Sequence, residues 1–423
     1  MTTDYQQLWK NRKLYVPPMT NSGARLFAAA FRSIGIDAVE FAPADDETLE
    51  LASKFMSGEE CFPLKVTAGD FLKVIRQADF SKERMAVFMP TAEGPCRFGQ
   101  YSPFFKNLIS SMKLAPDDVI VLSPTSKNAY EDLGSHAQEF KRTGWRALVC
   151  ADILRKILLK TRPYEIHPGE TEQVYDSCLA EVAATLEVPG IKPADRLQKL
   201  VQVLTRSRDR FRTIPTRRDV SRPLIGVVGE IFCRLNRFSN QNLIKKIEEL
   251  GGEAWLSDVA EWVWYTNSEQ QRKLRLFGKK YSRAMLAAKL KNHFQRKDEH
   301  ALYAPFHQDF TGYEEPEETD DFLALSNPYL PQNGAYGEMV ISVAKTIYLH
   351  AQGVDGIIDI SPFTCMNGTV TEAIYPRVSR DHDHLPIKNF YFDGTQADLN
   401  RDVGIFLELA RSYQHRKKVK RPF

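Results

Sequence analysis

The sequence has no C-x-x-C pair, no G-x-G-x-x-G, no G-x-x-x-x-G-K-[ST] and no long apolar run. Each absence removes a class of function. Without paired cysteines there is neither a thioredoxin motif nor the short ligand spacing of a structural zinc site. Without the glycine fingerprint a dinucleotide is not indicated, and without the P-loop this chain is not expected to hydrolyse ATP by that mechanism. A bilayer span needs roughly 18 apolar residues, and no run reaches that length, so no membrane contact is expected. The opening residues, MTTDYQQLWKNRK, have no apolar core and are not read as a signal peptide. A cytoplasmic location is the expectation. Excess charge is also lacking, at +3 net over 423 residues. Nucleic-acid binding normally shows as a strong basic excess or stripe, so no nucleic-acid partner is expected.

What remains is an ordinary globular composition, 43% hydrophobic and 26% charged. At about 100–200 residues per domain, two or three domains are expected. The pattern is that of an α/β protein with two Rossmann-like parallel-sheet domains joined by a mainly helical connector. In the first part, residues 1–134, strands are read at Leu14–Pro17, Ala38–Phe41, Met85–Met89 and Val119–Leu122. Helical spacing lies between them, at Gly23–Ser33, Asp46–Phe55, Lys65–Gln77 and Pro103–Met112. Residues 135–223 read as the connector, with helices at Trp145–Lys160, Glu170–Leu186 and Ala194–Arg206. The basic, proline-bearing stretch Thr213–Pro223 is its boundary. The second unit, residues 224–423, has strands at Leu224–Val228, Glu253–Leu256, Gly356–Ile360 and Asn389–Phe392. Its helices are read at Asn240–Leu250, Leu274–Phe294, Gly337–Gln352, Thr369–Val378 and Arg401–Ser412. The acidic, irregular stretch Phe306–Pro331, with EEPEETDD at Glu314–Asp321, reads as a surface loop or lid without chemistry. The basic tail His415–Arg421 reads as a frayed end.

Six cysteines in a chain read as cytosolic are not expected to form disulfides. Cys150 and Cys178 lie in apolar or helical patterns and read as buried small hydrophobes. Three others do not. Cys61, in GEECFPLK, Cys96, in TAEGPCRFGQY, and Cys365, in SPFTCMNG, sit in loops among glycine, proline and polar residues. Cys96, Cys233 and Cys365 each follow a strand, and the carboxyl ends of strands are where open α/β sheets bind ligands. Thiolates are soft ligands that suit iron–sulfur clusters, zinc or copper(I). A cluster, buried cysteines and a catalytic thiol at Cys96, activated by Arg97, all remain open on spacing alone. With three thiolates an iron keeps an open position. With four the cluster is closed and carries electrons, so Cys233 decides between the two. Glu60, beside Cys61, is a candidate proton donor, and Arg97 is a candidate catalytic residue. The run Asp381-His382-Asp383-His384 reads as a polar turn before Pro386 rather than a metal site.

The segments GEECFPLKVTAGDF, MPTAEGPCRFGQY, GEIFCRLNRFSNQN, SPFTCMNGTVTEAI and FYFDGTQADLNRDVGIFLELA occur in chain order. Together they resemble the acyl-CoA dehydratase activase-related proteins, in the part that lies beyond the ATPase domain of the long versions. These are relatives of the 2-hydroxyacyl-CoA dehydratase and benzoyl-CoA reductase subunits. The resemblance runs from about Leu14 to about Ser412 and is weakest across the connector. It implies two Rossmann-like domains with an iron–sulfur cluster between them, most simply one [4Fe-4S] per chain. Cys61, Cys96 and Cys365 match the ligand loops, and Cys233 is a candidate fourth ligand. It further implies a separate ATP-hydrolysing activase as electron donor, an acyl-CoA thioester reduced by one electron as substrate, and a homo- or hetero-dimer. The rival expectation is a non-catalytic electron-transfer or scaffold component of an activase complex.

Overall fold

The computed structural model describes residues 8–92, 94–115, 117–124, 130–332, 337–395 and 398–421. Residues 1–7 of the opening stretch, Glu93 of the Cys96 loop, and Gln396 and Ala397 lie outside the described residues.

Two all-parallel sheets are built. The first uses β1 (Arg12–Val16), β2 (Ala38–Glu40), β3 (Arg84–Phe88) and β4 (Val119–Leu122), in the order β2-β1-β3-β4. The second uses β5 (Leu224–Gly229), β6 (Glu253–Leu256), β7 (Gly356–Pro362) and β8 (Ile387–Phe392), in the order β6-β5-β7-β8. The α/β class expected from the sequence is therefore the class observed. In both sheets the strand order reverses beside the first strand, so each has a topological switch point, the first between β1 and β3 and the second between β5 and β7.

Period-two alternation sends the strand side chains of the first sheet to two cores. Leu14, Val16, Ala86 and Phe88 face one core, while Met85, Val87 and Val119 face the other. The second core is closed by α1 (Asp46–Ser53), α2 (Phe62–Gln77) and α3 (Tyr101–Ser111), through Leu51, Leu64, Phe71 and Phe105. The central strands β5 and β7 are buried along their whole length, as parallel strands covered on both faces must be.

The connector is helical, but it does not stand apart. Its three helices are α4 (Ala137–Thr161), α5 (Glu170–Glu187) and α6 (Pro193–Thr213). Cys150, Ile153, Cys178, Val182 and Leu204 share one core with Leu14, Ala28 and Phe31 of the first sheet's layer. The expected helix Leu274–Phe294 is two helices, α7 (Ala260–Leu276) and α8 (Arg283–Tyr303). Gly278 ends the first with φ +71°, and the Ser282 side chain accepts from the Met285 amide to cap the second. Periodicity ran through the break because apolar residues stay in phase across it.

Two stretches taken as unstructured surface are anchored. In the tail, Lys417 is buried and pairs with buried Asp355 at 2.7 Å, and Arg421 reaches the same carboxylate. In the acidic stretch, Glu315 receives Lys156 at 2.6 Å and also pairs with fully buried Lys345. Proline and acidic neighbours mask this one inward-facing carboxylate in the sequence. Burial pushes Glu315 up, but the two ammonium groups outweigh it and hold the carboxyl down at about 2. A carboxyl held below its ordinary 4.5 contributes stability above that pH and loses it as pH falls towards about 2. Glu315→Gln should therefore cost about 3 kcal/mol at pH 7 by stranding buried lysines. In urea titrations the gap from the parent should narrow as pH falls below about 4.5. A gap that does not change with pH would exclude this pairing as the source.

Candidate functional site

Each of the three loop cysteines occupies the residue before a helix. Cys61 precedes α2, Cys96 precedes the 3₁₀ turn Arg97–Gln100 that leads into α3, and Cys365 precedes α9 (Met366–Asp381). The sequence reading began α2 at Lys65. Its earlier start, with Pro63 in the first turn, is what gives Cys61 this position. The three cysteines share nearly one backbone conformation, with φ/ψ of −58/133°, −67/134° and −66/123°. This is the extended geometry of an N-cap, where serine, threonine, aspartate or asparagine is the usual choice. None of the three forms a side-chain cap hydrogen bond. Three helical starts thus present sulfur where a capping oxygen normally sits.

Cys233 arrives differently. It is the third residue of the short helix Ile231–Leu235 after β5, and it is fully buried. Gly229 makes that turn possible. Its φ is +109°, and a Cβ there would stand 2.2 Å from the Ile360 carbonyl oxygen on β7. The Glu230 carboxylate then accepts from the Phe232 and Cys233 amides at 2.9 and 2.8 Å. Glu338 accepts from the Ile231 amide at 2.7 Å. Asn240 donates to the Cys233 and Arg234 carbonyls, and Asn236 donates to the Pro18 carbonyl of the first sheet's β1 loop at 2.9 Å.

The carboxyl edges of the two sheets are joined at these loops. Exposed Arg97 donates to the Glu59 carbonyl at 2.7 Å, to the Thr364 hydroxyl at 2.7 Å and to the Thr364 carbonyl at 3.1 Å. One guanidinium thereby ties the Cys61, Cys96 and Cys365 loops together. Thr364 has φ +64°, a strained conformation for a β-branched residue, immediately before Cys365. Burial opposes the charged form of Cys61, and the Tyr101 hydroxyl beside it favours that form.

The four thiols form one electrostatic unit. Burial pushes Cys61 and Cys365 up to about 12, and the negative charge of Glu230 adds to both. Burial also raises Cys233 well above the ordinary thiol value, with further opposition from Glu230, Cys61 and Cys365. Cys96 is raised by burial despite Arg97 beside it. At exposed Cys96, burial opposes the thiolate more than the Arg97 guanidinium favours it. Glu338 is pushed up to about 8 by burial and by Glu230. Thiols in such a site are neutral until a metal displaces their protons.

Glu60 is engaged within its own loop. Its carboxylate closes its own loop, accepting from the Ser57 and Gly58 amides at 3.1 and 3.0 Å. Cys150 and Cys178 are fully buried in the core. The 381–384 turn is anchored by protein contacts, with Tyr329 on Asp381 and the Lys418 amide on Asp383. Among the described residues, no group of three or more His, Cys, Asp or Glu is drawn together as a site for a single metal ion.

Neither a protein-family model nor any curated protein matches this chain. The donor set itself is the test of fit. Soft thiols at three helix N-termini, with a fourth beneath them, suit an anionic iron–sulfur group, since amide dipoles and Arg97 offset its charge.

Tyr101, Glu230, Glu338 and Thr364 were not picked out from the sequence as site residues. Three of them stand in quoted motifs, Tyr101 closing GQY, Glu230 second in GEIF and Thr364 just before the cysteine of SPFTCMNG. Their roles depend on contacts across the two sheets, which no spacing announces. If Arg97 is the latch, Arg97→Ala should raise amide hydrogen exchange in residues 57–61 and 363–366 about tenfold, the worth of a charged hydrogen bond. Unchanged exchange in both segments would refute the latch.

Proposed function

We propose that this chain is an iron–sulfur protein of the 2-hydroxyacyl-CoA dehydratase type. In this reading Cys61, Cys96 and Cys365 ligate a [4Fe-4S] cluster and Cys233 is the candidate fourth ligand. The observation that carries the reading is the shared N-cap placement of the three loop cysteines on the joined carboxyl edges of two sheets. The proposal includes low-potential electrons received from an ATP-hydrolysing activase, an acyl-CoA substrate, a cytoplasmic location and assembly as a dimer. No helix among the described residues is long and apolar enough to cross a membrane.

When bound, the cluster supplies one-electron chemistry, and an iron lacking a fourth cysteine supplies a Lewis-acid position. The chain's own residues do the rest. Arg97 holds three ligand loops in one arrangement and places a positive charge at the mouth. The Tyr101 hydroxyl favours the charged form of Cys61. Glu230 and Glu338 fix the turn that carries Cys233. Exposed Phe363 and Met366 flank Cys365 and leave an apolar rim at which an electron donor can dock.

A second reading rests on Cys233. It lies close enough to Cys61 and Cys365 for their charges to oppose its ionisation. Four-thiolate ligation would make the protein an electron carrier or scaffold within an activase complex rather than a dehydratase or reductase.

The test is anaerobic purification followed by iron and acid-labile sulfide analysis, with an EPR spectrum after dithionite. About four irons per chain and a reduced-cubane signal are expected. Cys61→Ser, Cys96→Ser and Cys365→Ser should each lose the cluster, and Cys150→Ala should keep it. A Cys233→Ser protein that keeps its iron supports an open position, and one that loses it supports the carrier. Absence of iron and sulfide after anaerobic reconstitution would sink the proposal.

A further inference from the structure

Helices α7 and α8 run antiparallel, with Trp264 donating to Glu299 and Asn267 to Gln295 at 2.9 Å each, and Lys291 donating to Gln270 at 3.0 Å. One end of this hairpin is fixed to the connector. Arg142 and Arg146 of α4 reach Asp298 at 3.1 and 2.7 Å, and the Trp145 indole donates to the Gln295 carbonyl at 3.0 Å. The other end stands off the body. From Gln270 to Ala284, through the last turns of α7, the connecting turn and the start of α8, no residue is buried.

Two kinds of side chain crowd that end. The first is apolar. Leu276, Phe277 and Tyr281 are 74%, 77% and 92% exposed, and Leu286 and Leu290 of α8 stand on the face opposite buried Met285 and Ala288. Single exposed apolar side chains are ordinary, but a group of them marks a contact. The second kind is cationic. Residues 270–297 hold ten lysines and arginines and no aspartate or glutamate, in a chain whose net charge is +3. The rest of the chain is therefore net negative. Arg272 pairs with Glu269, Arg275 with Asp320 and Arg296 with Glu299. The other seven, Lys279, Lys280 and Arg283 at the turn among them, are exposed and pair with no carboxylate among the described residues. The acidic stretch reaches α7 through Asp320, which also accepts from Ser268, so it offsets charge along the stem of the hairpin.

We propose that the free end of this hairpin docks on an anionic phospholipid surface. Leu276, Phe277 and Tyr281 enter the headgroup region, and the cations around them pair with lipid phosphates and carboxylates. An apolar tip ringed by lysine and arginine supplies both parts of interfacial binding, buried apolar area and attraction to anionic lipid. Tyrosine is also a side chain enriched at the membrane–water boundary.

The charge selects this occupant. A second copy docked by the same face would set cations against cations. Nucleic acid would use the cations but would give Leu276 and Leu286 no apolar partner. An acidic protein would need a pocket cut to this end, whereas a bilayer boundary takes any apolar tip with cations around it. The expectation of no membrane contact rested on the lack of a span, which a surface contact does not need. The proposal makes no use of the cysteines, so it stands or falls apart from the iron–sulfur reading.

The experiment is flotation of the full-length protein with vesicles of phosphatidylcholine alone, or with about 30 mol% phosphatidylserine added. Partition to the anionic vesicles should be at least about tenfold stronger, and should fall at least about tenfold between about 0.1 M and about 0.5 M salt. Lys279→Glu combined with Lys280→Glu should weaken it about tenfold or more. Phe277→Ser combined with Tyr281→Ser should do the same at unchanged charge. Lys106→Glu combined with Lys113→Glu makes the same change of charge at exposed residues outside the hairpin, and should weaken partition less than about threefold. Circular dichroism checks that each protein keeps its fold. No partition to anionic vesicles would overturn the proposal, as would full partition in either hairpin variant or an equal loss in the outside pair. Retention on heparin without vesicle binding would assign the end to nucleic acid instead. Self-association without vesicle binding, abolished by Phe277→Ser with Tyr281→Ser, would assign it to a second copy. Either result would overturn the proposal.

Discussion

Parallel strands impose the constraint on which the rest of this molecule depends. In an all-parallel sheet every strand ends at the same edge, and every helix that packs back on it begins near that edge. Helix N-termini, with their unpaired amides, are therefore collected whether or not anything uses them. This chain has two such sheets with the same strand order, and it joins their collecting edges. Three of the helical starts carry cysteine at the capping position. Fold and site are in that sense one decision, since changing which helix precedes β3 would move Cys61 away.

Holding such a site closed has costs, and they appear where the site is. Thr364 keeps a left-handed backbone that its β-branched side chain resists, at about 1–3 kcal/mol. Glu230 and Glu338 approach each other in a desolvated setting that opposes the charge of both. The compensations are local. Arg97 donates to the Thr364 carbonyl and hydroxyl, and the successive amides of Ile231, Phe232 and Cys233 donate to the two carboxylates. Further away, the second unit is clamped to the connector by Lys156, Lys345 and Glu315, and its own end is pinned by Lys417 on Asp355.

The legible parts of the fold were those set by short-range pattern. Val119–Leu122, an apolar β-branched run, and Glu253–Leu256, a short run that follows Gly251-Gly252, were read with the bounds observed. The loop cysteines stood out because glycine, proline and polar neighbours deny them a core. Beyond that, local pattern failed in identifiable ways. It carried one helix through Gly278, where the chain turns back. It took Glu315 and Lys417 for solvated charges, since their partners, Lys156 and Lys345 for the one and Asp355 for the other, come from elements that local pattern does not link to them. It could place Cys96 in a loop, but it could not weigh Arg97 against desolvation, which is a property of the assembled edge.

The two halves are not equal partners. Matching β1 to β5 and β3 to β7 makes Cys96 and Cys365 counterparts, each opening the helical segment after the third strand of its sheet. The helix before that strand is α2 in the first half, opened by Cys61, and Glu338–Ala351 in the second. Where the first half offers a thiol, the second offers Glu338, a buried carboxyl pushed up towards neutrality. The turn after the first strand is reversed in character, with Pro17–Thr20 in one half and the Cys233 turn in the other. A symmetric edge would have given equivalent donors from both sides. This one sets two exposed-side thiols of the first half against one thiol, one deeply buried thiol and one protonatable carboxyl of the second. A group held there would meet chemically different faces, with thiols from both halves and a buried carboxyl from the second alone.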